Sequence, residues 1–194
     1  MYTINKQPNL KMANIKQNRF LIIAKTKEQI FNIDDLARIW GIKNRRTLAV
    51  TLNRYVSSGL IYRIYRGLYS LKKVDELDPI ELGFKAINDY SYLSGETVLA
   101  KHGLIFQQLN YFTFIGRETK RFQIGANKYY CRQLKERFLY NDTGVIKNSQ
   151  SYNEASLERA VADILYFNPR YHFDNLSGIN QAELKRIQRG VYNN

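Results

Sequence analysis

Lys43, Asn44, Arg45, Arg46, Thr47, Val50, Thr51 and Arg54 crowd one short stretch of the chain, with Asn53 among them. Together they offer guanidinium groups, amides, hydroxyls and methyls, which is the chemistry that reads base-pair edges. Arg is bidentate to guanine, Asn to adenine, and Thr or Val methyls touch the thymine methyl. A second set, Arg63, Tyr65 and Arg66, follows nearby. Its charges suit backbone phosphate or a minor groove.

Other chemistries find little material. The chain has two histidines, His102 and His172, and one cysteine, Cys131, so a Cys/His zinc site is not expected. There is no GxxxxGK phosphate loop, no GxGxxG and no Gly-x-Ser-x-Gly elbow. Asp34 and Asp35 are adjacent, point in different directions on a helix start, and are read as capping residues. Glu154, Glu158 and Asp163 share one predicted helix, and the four-residue spacing of the first two could hold a metal. A solvated acidic face is the commoner meaning of that pattern. Cys131 in a predicted strand is read as a small core residue. No catalytic residue, metal or cofactor is therefore expected, and the chain is not expected to be an enzyme.

The elements that position the basic residues are legible from Ile30 to Leu71. A helix is predicted over Ile33 to Trp40, capped by Asn32 or Asp34, with Leu36, Ile39 and Trp40 at buried spacing. Gly41 permits the positive φ that ends it. Asn44 caps a second helix over Arg45 to Ser58, whose core face carries Leu48, Leu52, Tyr55 and Val56. Arg46, Val50, Thr51, Asn53 and Arg54 fall on the opposite face. Leu60 to Ile64 alternates as a half-buried strand, Arg66-Gly67 is a turn, and Leu68 to Leu71 returns. With Ile30 to Asn32 as a small strand, this is the order of a winged helix-turn-helix, in which the second helix enters the major groove.

Charge placement points the same way. The net charge of the chain is +13; residues 1 to 75 hold 15 Lys+Arg against 4 Asp+Glu, and residues 76 to 194 hold 15 against 13. A basic segment beside a near-neutral one is the electrostatic footprint of nucleic-acid binding. No run is apolar enough for a membrane span, no signal-peptide pattern occurs, and a lone cysteine suits a reducing compartment. A cytoplasmic location without membrane contact is expected.

Three segments are predicted: a flexible arm over 1–13, a winged helix-turn-helix domain over 14–75, and a C-terminal α+β domain over 76–194. The overall fold class is α+β. Asn14 to Lys27 is a helix under the helix-turn-helix. In the second domain, Ile80 to Asn88 is a short helix, and Tyr92 to Leu104 is a helix capped by Ser94 with Val98, Leu99 and His102 inward. Tyr111 to Ile115, Lys120 to Ile124 and Lys128 to Leu134 are strands of a small antiparallel sheet. Asn141 to Ser151 is a loop. Asn153 to Phe167 is a helix with the stripe Leu157, Ala160, Val161, Ile164, Leu165 and Tyr166, and Gln181 to Gly190 is the last helix.

DLARIWGI and TLAVTLNRYVSSGLIYRIYRGLYSL in the first domain, and YLSGETVLAKHGL and ASLERAVADILYF in the second, resemble the AbiEi-type antitoxins of bacterial type IV toxin-antitoxin and abortive-infection (phage-defence) operons. The likeness covers residues 15 to 170. Ser94, Glu96, Leu99, His102, Gly103, Leu104, Glu158, Ala160, Asp163 and Tyr166 stand where that family's recurring residues are expected. Members of the family often continue beyond the last helix predicted here. The resemblance implies a transcriptional autorepressor that binds double-stranded DNA at inverted-repeat operators, as a dimer or as cooperative monomers. It also implies an antitoxin that counteracts an AbiEii-type nucleotidyltransferase toxin without a stable complex. Glu96, His102, Glu158 and Asp163 are the candidate residues of that second activity. Two other readings stay open: a winged-helix protein-interaction module, and a transcriptional regulator without antitoxin activity.

Overall fold

The computed structural model describes residues 19–147 and 152–192; the arm expected over 1–13 and the start of the helix expected from Asn14 lie outside them. The fold is mixed α+β. The chain divides into two compact units, Met1–Leu77 and Asp78–Asn194.

In the first unit α1 covers residues 19–24. It is followed by β1 (Ile30–Asn32), α2 (Ile33–Ile39), α3 (Arg45–Ser57), β2 (Tyr62–Tyr65) and β3 (Leu68–Ser70). Local chemistry sets these bounds. The Asn32 backbone N–H donates to Asp35 Oδ2 at 3.3 Å at the start of α2, and Gly41 leaves it at φ +64. Asn44 Oδ1 accepts from the Thr47 N–H at 3.0 Å, a cap that contributes about 1 kcal/mol. Leu36 and Trp40, Leu48, Leu52 and Tyr55, and Phe31, Ile61 and Tyr69 close one core with Ile23 of α1. Trp40 packs on Tyr55 with ring centroids 5.1 Å apart, and its Nε1 donates to Arg19 O at 3.2 Å, tying α1 to α2.

The three strands lie in the order β1-β3-β2, both pairs antiparallel. This changes the expected burial of β2. Tyr62, Arg63 and Tyr65 are exposed and Ile64 is half-buried, whereas all three residues of β3 are buried. The reason is position: β3 is paired on both sides and β2 is an edge, which tolerates exposed polar side chains. The register shifts between Arg63 and Tyr65, and Gly67 turns the hairpin at φ +95.

The second unit begins with α4 (Pro79–Ile87), capped by Asp78, which accepts from the Glu81 N–H at 2.8 Å. There follow β4 (Ser91–Leu93), α5 (Glu96–Lys101), β5 (Phe112–Gly116), β6 (Lys120–Ile124), β7 (Asn127–Gln133), α6 (Glu136–Leu139), β8 (Val145–Lys147), β9 (Asn153–Ala155), α7 (Leu157–Phe167) and α8 (Gln181–Ile187). A π-helical turn, Gln188–Tyr192, follows α8. The sheet has six strands in the order β6-β7-β5-β4-β9-β8. Gly83 lets α4 lie directly on it: a Cβ there would sit 2.6 Å from Phe114 Cζ.

Several local expectations change. The sheet is mixed, because β5–β7 and β4–β9 pair in parallel. β6 and β7 form a tight antiparallel hairpin through Gly125, but β7 rather than β6 lies beside β5. Burial explains the choice: β7 brings Tyr129 and Cys131, both buried, whereas β6 carries Lys120, Arg121 and Gln123 and is better left at the edge. Ser94 is not a helix cap. Residues Ser91–Leu93 form a strand, Gly95 occupies the N-cap at φ +61, and Ser94 is fully buried. His102 is exposed at the C-terminus of α5 rather than inward, because the inward positions are filled by Val98 and Leu99. Part of the loop expected from Asn141 is β8, which pairs with β9, and residues 148–151 lie outside the described set. Residues Asn153–Ala155 are a strand, and α7 starts only after Ser156, which accepts from the Arg159 N–H at 3.2 Å. Glu154 and Glu158 therefore do not share a helix. Glu154 instead pairs with Lys101 at 2.5 Å. Among the described residues, no helix is long and apolar enough to cross a membrane.

Candidate nucleic-acid interface

The core face of α3 is fixed by Leu48, Leu52 and Tyr55, each at most 1% exposed. A helix so anchored must turn its other side outward. Lys43, Asn44, Arg45, Arg46, Thr47, Val50, Asn53 and Arg54 are exposed there, and Thr51 is half-buried. Contacts within the unit limit the freedom of several of them. The carbonyl of Asn44 is used by its cap, which leaves its amide N–H groups. The Thr51 hydroxyl donates to Thr47 O at 2.8 Å and can still accept. Arg45 pairs with Asp34 at 2.7 Å, but both side chains are about 70% exposed, so the pair is worth little in water and a phosphate can replace it. Arg63, Tyr65 and Arg66 are exposed around the β2–β3 turn of the same unit. A helix with a basic, amide-bearing face and a basic hairpin thus belong to one compact body.

The four candidate residues of the second unit do not converge on one site. Glu96 is buried, bonded to Arg132 Nη2 at 2.5 Å and accepting from Thr113 Oγ1 at 3.2 Å. Asp163 is buried in a different network. Glu158 is half-buried and accepts from the Asn180 N–H at 3.1 Å, joining α7 to the start of α8. His102 stands apart in solvent.

Arg159, which the pattern of the sequence did not single out, organises the network around Asp163. All five of its N–H donors are used. Nε donates to Asp163 Oδ1 at 2.8 Å; Nη1 donates to Asn141 O at 2.9 Å and Thr143 O at 2.8 Å; Nη2 donates to the Tyr92 hydroxyl at 2.8 Å and Phe138 O at 3.2 Å. Asp163 also accepts from Ser94 Oγ at 2.6 Å and from the Tyr192 hydroxyl. Burial pushes the guanidinium of Arg159 down, but Asp163 and the two tyrosines together hold it above its ordinary value. One cation therefore ties β4, α6, the 141–143 turn and α7, and through Asp163 the network reaches Tyr192. Cys131 has no comparable role: burial pushes its thiol up to about 11, so it stays protonated near neutral pH, as a core residue would.

No family model matches the chain, and no curated protein sequence matches it. Among solved structures it is similar to the RV2827C protein from Mycobacterium tuberculosis, with a TM-score of 0.55 at 10% identity, over 92% of this chain and 72% of that one. At that identity the likeness is one of fold alone.

The tyrosines of the network make a pH prediction. Burial, then Asp163, raises the phenols of Tyr92 and Tyr192 above their ordinary 10.0. Above that pH the unfolded chain loses phenolic protons that the folded chain keeps, so stability is complete below it and falls as pH rises. The slope is at most about 1.4 kcal/mol per pH unit for each such group. Denaturant midpoints measured across this range should fall, and fall less steeply in Tyr92→Phe. Equal slopes in the two proteins would show that Tyr92 is not held neutral.

Proposed function

We propose that the first unit is a winged helix-turn-helix and that the chain is a sequence-specific DNA-binding autorepressor and antitoxin of the AbiE type. The single observation that supports this best is the outward basic face of α3 in the same body as the exposed Arg63 and Arg66 of the hairpin. Lys43 to Arg54 would read the major groove, and Arg63, Tyr65 and Arg66 would hold the backbone. The partner is double-stranded DNA with an inverted-repeat operator, bound by a dimer or by cooperative monomers in the cytoplasm. No enzymatic step is needed for this role.

Arg46→Ala tests the reading face. Loss of one bidentate Arg–base contact should cost about 1–3 kcal/mol and relax preference at one position of the site. Anisotropy titrations of the DNA upstream of its own gene, with each base pair substituted in turn, measure both. Unchanged affinity and unchanged preference would assign the face wrongly.

The antitoxin activity rests on the resemblance to the AbiEi-type family. Its partner would be an AbiEii-type nucleotidyltransferase toxin encoded beside it, counteracted without a stable complex. Growth rescue on co-expression with that toxin tests this half. The second reading, a regulator without antitoxin activity, is favoured by one observation: Glu96 and Asp163 are buried in ion pairs of their own unit, where they serve its fold. Failure of rescue with operator binding intact would select it.

A further inference from the structure

The outer edge of the second unit's sheet carries a groove whose residues take no part in the DNA-binding reading. In the β6–β7 hairpin Arg121 lies opposite Tyr130 and Gln123 opposite Lys128. Side chains alternate along a strand, so Arg121, Gln123, Lys128, Tyr130 and Arg132 share one face. With Tyr111 they line a groove of about 600 Å³. A second hollow of about 360 Å³ adjoins it, shares Tyr130 and Arg132, and reaches Phe167 and Asn168.

Within this groove two of the cations lie over rings. The Arg121 guanidinium lies 4.2 Å from the centroid of Tyr130, and that of Arg132 lies 5.1 Å from Tyr130 and 5.6 Å from Phe167. Arg132 is further fixed by Glu96, whose side chain is only 5% exposed, so the carboxylate orients a cation without facing a ligand. Arg121 and Lys128 remain exposed. Gln123 donates its amide to Gly125 O at 2.9 Å, which leaves its carbonyl to accept.

We propose that this face binds nucleotides. Three cations alone would suit any anion, and rings alone would suit any apolar group. Guanidinium groups lying over aromatic rings, with a free amide carbonyl beside them, suit a ligand that joins a flat heterocycle to a phosphate. The base stacks on the Arg121 guanidinium or on Tyr111, its exocyclic amine donates to Gln123, and Arg121 and Lys128 take the phosphate. The first groove is the size of a mononucleotide pocket. The second hollow, continuous through Tyr130 and Arg132, has room for a neighbouring unit of a single strand.

The test is calorimetric titration of the full chain with AMP and, separately, with a short oligoadenylate RNA. Both are run in an Arg46→Ala/Arg63→Ala background, so that the first unit adds little. Binding should weaken about tenfold or more when Arg121→Ala and Lys128→Ala are added, two changes at exposed positions. Duplex binding by the chain with an unaltered first unit should not respond to them. Binding of AMP and oligoadenylate alike identifies a free nucleotide as sufficient. Binding of oligoadenylate only identifies a single strand. Binding of neither, or binding indifferent to the Arg121 and Lys128 changes, overturns the proposal.

Discussion

Arg159→Met should destabilise the second unit by about 3–5 kcal/mol, the cost of stranding a buried charge. Arg159 and Asp163 are 0% and 1% exposed, and their ion pair is 2.8 Å long. Removing the cation leaves the Asp163 carboxylate, among the described residues, with the hydroxyls of Ser94 and Tyr192, and leaves the carbonyls of Asn141, Thr143 and Phe138 without that donor. A loss of this size is a large share of a small domain's stability, typically about 5–15 kcal/mol. The pair itself need not be strongly stabilising, since two buried charges replaced together by apolar groups can cost little. The double variant Arg159→Met/Asp163→Leu should therefore recover the part of the loss owed to the stranded carboxylate, but not the part owed to the carbonyls of Asn141, Thr143 and Phe138. Chemical denaturation of the single and double variants separates the cases. A single variant close to wild type, or a double variant as unstable as the sum of its parts, would contradict a buried, mutually dependent pair.

The second large effect is on DNA affinity as salt changes. If each of two copies neutralises about 4 phosphates, the slope of log affinity against log salt should be about −7. Raising salt from about 50 to about 200 mM should then weaken binding roughly ten-thousandfold. The charge for this is present: residues 1 to 75 hold 15 Lys+Arg against 4 Asp+Glu. The Arg45–Asp34 pair lowers the yield slightly, because Arg45 must release a carboxylate before it takes a phosphate. Arg63→Ala should reduce the slope by about 1 for each copy bound while leaving sequence preference intact. Titrations at several salt concentrations check this, and a flat response would remove nucleic acid as the partner of the basic unit.

The parts of the fold that were legible in the sequence are those fixed by neighbours in the chain. Asn44 and the apolar residues at 48, 52, 55 and 56 give α3 its start and its inward face, and the structure buries Leu48, Leu52 and Tyr55. What was hidden depends on partners far away. Period-2 alternation identifies β2 as a strand but not as an edge, and only pairing with β3 decides that. The parallel β5–β7 pair skips over β6, an arrangement that no local pattern encodes. In α7, Leu157, Leu165 and Tyr166 belonged to the expected stripe and are only half-buried, while Arg159 and Asp163 are buried. Their four-residue spacing was visible. Charged residues on a helix are ordinarily solvated, and the tyrosines and carbonyls that make an exception here come from other elements.

The basic face of α3 was visible as composition, and the structure exposes it. Whether that face recognises a sequence is most directly measured by competition. Duplex DNA from upstream of the gene is set against a shuffled duplex of the same length and composition, at physiological salt. A repressor that reads bases through Arg46 and its neighbours should prefer its own site by about a thousandfold or more. A ratio near one, with tight binding to both duplexes, would mean that the charge holds DNA without reading it.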